Sequence, residues 1–205
     1  MAVSPTSALQ RAARLCALTV AWNATVGGLA VATAVSTGSL SLIGFGINAV
    51  VDSSASIVLV WRFRAEIAGH AERARRAEQL ALRLAGAAFL LIALYLLIQS
   101  TRSLDAGRHF QATAFGIAEA LAALLVLPVL ASAKYSLSQR LGSRALRADS
   151  LLTWSGVALA LVALAALTAQ RTLSWWWADG IGGLMIAALL AWQGARAVRE
   201  HGLAD

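Results

Sequence analysis

The chain is 205 residues long, with 59% of them apolar and only 13% charged, and its mean hydropathy is +0.70. A water-soluble domain is roughly half apolar and about a quarter charged. This composition therefore excludes an ordinary soluble enzyme, a disordered chain and a disulfide scaffold, and it points to an integral membrane protein. The formal net charge of +7 does not call for a nucleic-acid partner, because basic residues of membrane proteins collect in cytoplasmic loops. The single cysteine, Cys16, cannot form an internal disulfide and reads as a packing residue.

In chain order, six apolar stretches stand out: Leu15–Val35, Leu40–Trp61, Leu82–Ile98, Thr113–Ala133, Ser150–Thr168 and Asp179–Ala195. They are continuous runs rich in Ala, Leu and Val, without the alternation of a membrane β-barrel strand. Since lipid offers a backbone no hydrogen-bond partner, runs of this length are expected to cross as helices. The predicted fold is all-α, a membrane bundle of six helices forming a single domain over residues 1–205, with no cytoplasmic C-terminal domain after it.

Sidedness follows from the basic residues. With the amino terminus in the cytoplasm, Arg11, Arg14, Arg62, Arg64, Arg73, Arg75, Arg76, Arg83, Lys134, Arg140, Arg144, Arg147, Arg196 and Arg199 fall inside. Only Arg102, Arg108 and Arg171 fall outside. That bias places both termini in the cytoplasm. The first apolar run is about 20 residues, longer than a usual signal-peptide core, and is expected to be retained as a span. Thr37-Gly38-Ser39 and Gln170–Trp177 are short loops, whereas Arg62–Gln79 carries Glu and Arg at helical spacing and extends its flanking helices as a solvated face. Glu72 and Glu78 dilute its arginines, which argues against nucleic-acid binding there. Trp175, Trp176 and Trp177 form an interfacial aromatic anchor, and Asp179 reads as the cap of the helix that follows it. His70, His109 and His201 all lie in loops or the tail.

An ionisable side chain inside a span is expensive and marks a functional hypothesis. Asp52 lies near the middle of the second span. Asn48, four residues earlier, shares its helical face, and Ser53 and Ser56 add oxygens nearby. The alternative for Asp52 is a protonated carboxyl bonded to a neighbouring helix. Asp149 opens the fifth span with Thr153 on the same face; a helix cap or a partner for Arg147 accounts for it equally well. Glu119, in the outer half of the fourth span, fits an extra cation ligand, a proton carrier or a helix contact. Together the oxygens of Asp52, Asn48, Asp149, Thr153 and Glu119 form a candidate cation site. Protons and metal compete for carboxylate oxygens in low dielectric, the minimum chemistry for proton-coupled exchange.

Several stretches carry a family likeness. Thr19-Val20-Ala21-Trp22-Asn23 and Gly38-Ser39-Leu40-Ser41-Leu42-Ile43-Gly44-Phe45-Gly46 are followed by Asn48-Ala49-Val50-Val51-Asp52-Ser53-Ser54-Ala55-Ser56. Later come Ser143-Arg144-Ala145-Leu146-Arg147-Ala148-Asp149-Ser150 and Trp176-Trp177-Ala178-Asp179-Gly180, with Gly194 and Glu200 near the end. This series resembles the transmembrane domain of cation diffusion facilitator transporters, in particular the small bacterial members akin to the vertebrate transmembrane protein 163 group. The resemblance implies a six-helix homodimer in the bacterial cytoplasmic (inner) membrane, exporting zinc or a similar divalent ion against protons. It also implies a metal held between the second and fifth helices by two ligands four residues apart on each. Here the second helix supplies Asn48 and Asp52, while the fifth places Leu152 and Gly156 at the ligand positions, with Asp149 and Thr153 the nearest oxygens.

Zinc favours His, Cys and carboxylate, whereas Asp, Asn, Thr and water suit harder cations comparatively better. Alternating access would come from helix pairs rocking about the site. No nucleophile–base pair is present, so neither enzymatic activity nor a resident cofactor is expected; lipid, a divalent ion and protons are the expected partners. The rival expectation is a non-transporting scaffold or partner subunit that retains the transporter fold.

Overall fold

The computed structural model describes residues 5–68, 71–107 and 113–202; within them the side chains of 5, 6, 71–85, 88, 144, 197, 198 and 200–202 are not described. Among the described residues there are helices and no strands. They are α1 (Pro5–Trp22), a π-helical turn (Asn23–Gly27), α2 (Gly28–Thr37), α3 (Leu40–Ile67), α4 (Ala71–Asp105), α5 (Ala114–Leu141), α6 (Arg144–Leu173) and α7 (Ala178–Gly202). α1, the π turn and α2 run on as one span, so the bundle has six rods. Among the described residues, five runs are long and apolar enough to cross a bilayer: Ser7–Thr37, Leu40–Ile67, Ala114–Leu141, Ala145–Leu173 and Ala178–Arg196. α4 contains the third predicted span, 82–98. The charges placed on Arg73, Arg75, Arg76, Arg83, Arg108 and Arg144, and the histidines at 70, 109 and 201, lie outside the described residues or side chains.

Helix ends follow local chemistry. Gly38 adopts φ 75 after α2, and the Ser39 side chain caps α3 by accepting from the Leu42 N–H. Gly142, at φ 60, together with Ser143 makes the whole connection between α5 and α6. That turn is much shorter than the apolar boundaries at 133 and 150 imply. Hydropathy marks where a chain leaves the apolar zone; it does not mark where hydrogen bonding stops, and both helices continue through the polar stretch. Lys134, read above as a cytoplasmic loop charge, therefore lies within α5 and is 0% exposed.

Packing centres on α3, which touches α1, α2, α4, α6 and α7. Two glycines allow this closeness. A β-carbon on Gly44 would meet Ile186 Cγ2 of α7 at 2.5 Å, and one on Gly46 would meet Val31 Cγ2 of α2 at 2.6 Å. Small residues at helix crossings are the usual route to tight packing in lipid. The polarity of the bundle is inverted relative to a soluble protein. Val35, Leu125 and Leu91 are 76%, 75% and 70% exposed, while Asp52, Lys134 and Asp149 are buried. Apolar side chains on the rim and ions within suit a hydrocarbon surround.

Asp179 does not cap its own helix as expected. It sits in the first turn of α7 and reaches across to α3, accepting from Ser39 Oγ (2.8 Å), the Leu40 N–H (2.7 Å), the Ser41 N–H (3.2 Å) and Ser41 Oγ. One carboxylate thus serves two helix N-termini, where negative charge is favoured. Asp179→Ala strands two buried backbone donors and two hydroxyls, and should cost about 3 kcal/mol or more. Denaturant titration in mixed micelles checks this; wild-type stability in the variant would show that the clasp is dispensable.

Candidate cation site

The π turn at Asn23–Gly27, α3, α5 and α6 bring a polar cluster together inside the bundle. π turns inside α-helices are frequent at functional sites, and this one presents Asn23, whose Nδ2 donates to Asp52 Oδ2 at 2.9 Å. From α6, Thr153 Oγ1 lies 3.2 and 3.3 Å from the two Asp52 oxygens and 3.1 Å from the Asp149 carbonyl oxygen. Asp149 binds α3 through Ser56 Oγ, which donates to its Oδ1 at 2.9 Å. The Cys16 thiol points at Asp149 Oδ2 from 3.8 Å.

Lys134 completes the cluster. Its ammonium makes an ion pair with Asp149 Oδ2 at 2.7 Å and donates to Ser56 Oγ and Thr153 Oγ1, both at 3.1 Å. An ammonium has three donors, and here each has an acceptor. Neither alternative proposed for Asp149 holds, because Ser143 caps α6 and the salt partner is Lys134. The Arg147 guanidinium instead lies over the Tyr135 ring, 5.8 Å from its centroid. With both carboxylates ionised, one ammonium balances one of them and the cluster keeps a net negative charge beside Asp52.

Of the predicted site residues, Asp52, Asp149 and Thr153 share this network. Asn48 lies one turn along α3 and faces Gly156: a β-carbon there would stand 3.2 Å from Asn48 Nδ2. Asn48 Oδ1 is buried without a hydrogen-bond partner. Two positions implied as ligands by the resemblance therefore do face each other, one as an amide and the other with no side chain. Leu152 packs on the apolar core. Ser53 Oγ turns back to the Ala49 carbonyl of its own helix.

Glu119 stands apart. It precedes Lys134 on α5 by 15 residues, about 22 Å along a helix. Its Oε1 accepts from Thr33 Oγ1 at 3.4 Å, and its Oε2 is buried without a partner. Among the described residues no three His, Cys, Asp or Glu side chains converge to hold a metal. The donor set is one of oxygens, with the ammonium among them.

The family model of the cation efflux transmembrane domain matches residues 17–204. The chain belongs to the cation efflux family. Its members are membrane cation transporters, and the bundle of long apolar helices fits such a transmembrane domain.

Sequence reasoning overlooked Lys134 and Asn23. The signal for Lys134 was available. It is the only lysine in a chain whose other basic residues are arginines, and it continues the stripe Ala120, Ala123, Leu127, Leu130 and Ala131 that α5 buries. Asn23 carries no charge and so escaped a search for ionisable groups. Removing one partner of a buried ion pair costs about 3–5 kcal/mol, so Lys134→Met and Asp149→Asn should each destabilise strongly. The double variant should lose at least about 1 kcal/mol less than the sum, the mark of direct coupling. Additive losses in the same micellar titration would place the two groups in separate environments.

Proposed function

We propose that the chain is a divalent cation exporter of the cytoplasmic membrane, active as a homodimer, with a pathway that passes Asp52 and Asp149 and runs in exchange for protons. The observation that carries the reading is that two buried carboxylates from different helices are cross-linked over one seam: Asp52 of α3 accepts from Thr153 Oγ1 of α6, and Asp149 of α6 accepts from Ser56 Oγ of α3. Oxygens from both sides of a helix–helix seam can bind an ion in one arrangement and release it in another. Asp52 is the principal ligand, held in orientation by Asn23; Asp149 and Thr153 supply the facing oxygens. Asn48, with a free carbonyl oxygen one turn away, extends the path along α3, and Glu119 provides a separate station further along. The cargo is zinc-like in charge, and the oxygen donor set also admits harder divalent ions such as manganese.

The scaffold reading draws on Lys134, since a cluster already satisfied by an ammonium needs no metal to be stable. Flux separates the two. In proteoliposomes with a metal-sensitive dye, zinc or manganese uptake should depend on a pH gradient and fall to the protein-free background in Asp52→Asn, with the variant still folded. Absence of flux for every divalent ion tested, from folded wild-type protein, would leave the scaffold in place of the transporter.

A further inference from the structure

Lys134 Nζ sits where a transported cation has to sit. Its three contacts, Asp149 Oδ2 at 2.7 Å and the hydroxyls of Ser56 and Thr153 at 3.1 Å, are oxygens that a divalent ion between α3 and α6 would need. A metal coordinated by Asp149 and Thr153 lies about 2.0–2.6 Å from their oxygens, in the space between those atoms and the ammonium. Both cannot be present: the volume overlaps, and a divalent ion would face a positive charge in a medium that screens little.

We propose that Lys134 is a tethered stand-in for the transported ion, whose ammonium holds the Asp149 side of the site until an arriving divalent cation displaces it. This rests on the reading of Asp52 and Asp149 as the cation pathway and adds to it the residue that sets how tightly the pathway binds. Several features fit the role. The ammonium is a compact charge on a flexible four-carbon stem, so it can withdraw without moving its helix. Its helix stays in register with α6, because Ser150 Oγ donates to the Ala131 carbonyl at 3.2 Å; the tether therefore remains beside the site after release. Lys134 also links α5 to α3 through Ser56 and, by way of Thr153, to Asp52. Displacement would loosen that seam at the moment the ion binds. With no ion bound, the ammonium keeps Asp149 from standing as an uncompensated buried charge, which is costly.

The chain's single lysine makes the test direct. Wild-type protein labelled with 15N at the lysine side chain should show one ammonium resonance, protected from solvent. Zinc titration should shift or abolish that resonance along the same curve as zinc binding measured by equilibrium dialysis, and Asp52→Asn should weaken both. In Lys134→Met, zinc should bind at least about tenfold tighter than in wild type, a change of about 1.4 kcal/mol, whereas Lys134→Arg should stay near wild type.

An ammonium resonance unchanged at saturating zinc, in a protein whose binding is weakened by Asp52→Asn, would overturn the stand-in and leave the pathway reading intact. So would equal zinc affinity in folded Lys134→Met and wild type. Zinc binding that is absent, or indifferent to Asp52→Asn, would overturn both readings. Because the resonance is read on wild-type protein, the proposal is decided even if Lys134→Met fails to fold.

Discussion

Burying an ion in a hydrocarbon surround is among the most expensive things a sequence can do, and this chain links Asp52, Lys134 and Asp149 in one buried network through the hydroxyls of Ser56 and Thr153. Lys134 and Asp149 offset one another at 2.7 Å, and Ser56 and Thr153 satisfy the donors and lone pairs that remain. Low dielectric strengthens these bonds and penalises any group left without one, so the helices that supply the groups cannot shift independently. Asn23 ties the π turn of the first span to Asp52, Ser56 ties α3 to α6, and Lys134 ties α5 to both. Around this polar centre the apolar side chains are free to face outward, and many do.

The other end of α3 is held by a different device. Asp179 takes four donors from Ser39, Leu40 and Ser41 and, among the described residues, has no ion pair. One end of the central helix is thus locked to α7 by a carboxylate shared between two helix N-termini, while its middle is held by a network that includes a buried ammonium. That asymmetry suits a helix meant to pivot: a fixed end supplies the fulcrum, and a seam of charge-assisted bonds supplies an alternative arrangement.

Much of this was legible in the sequence because lipid narrows the choices. Apolar runs gave the number and approximate place of the helical rods, Gly38 and Ser39 gave the first turn, and Asp52 in mid-span marked the buried polar cluster. What was not legible depended on registration between helices. Whether Lys134 faces a loop or a core depends on α5 continuing to Leu141, and a hydropathy window ends where charge begins. The destination of Asp179 depended on which helix start lies beside it, and no spacing along the chain encodes that. Gly156, at an expected ligand position, became intelligible only when Asn48 was found opposite it. Glu119 was legible as a buried acid, but its distance from the cluster along α5 separated it from the other candidates.

The most direct test is to locate the ion. Crystals of the wild-type chain soaked with zinc or cadmium, with diffraction data collected at the metal's absorption edge, should give an anomalous peak at ligand distance from Asp52, Asp149 and Thr153. The Lys134 side chain should be turned away from Asp149 in the same map. A peak elsewhere in the bundle, or the undisturbed Lys134–Asp149 pair beside a bound ion, would contradict the assignment.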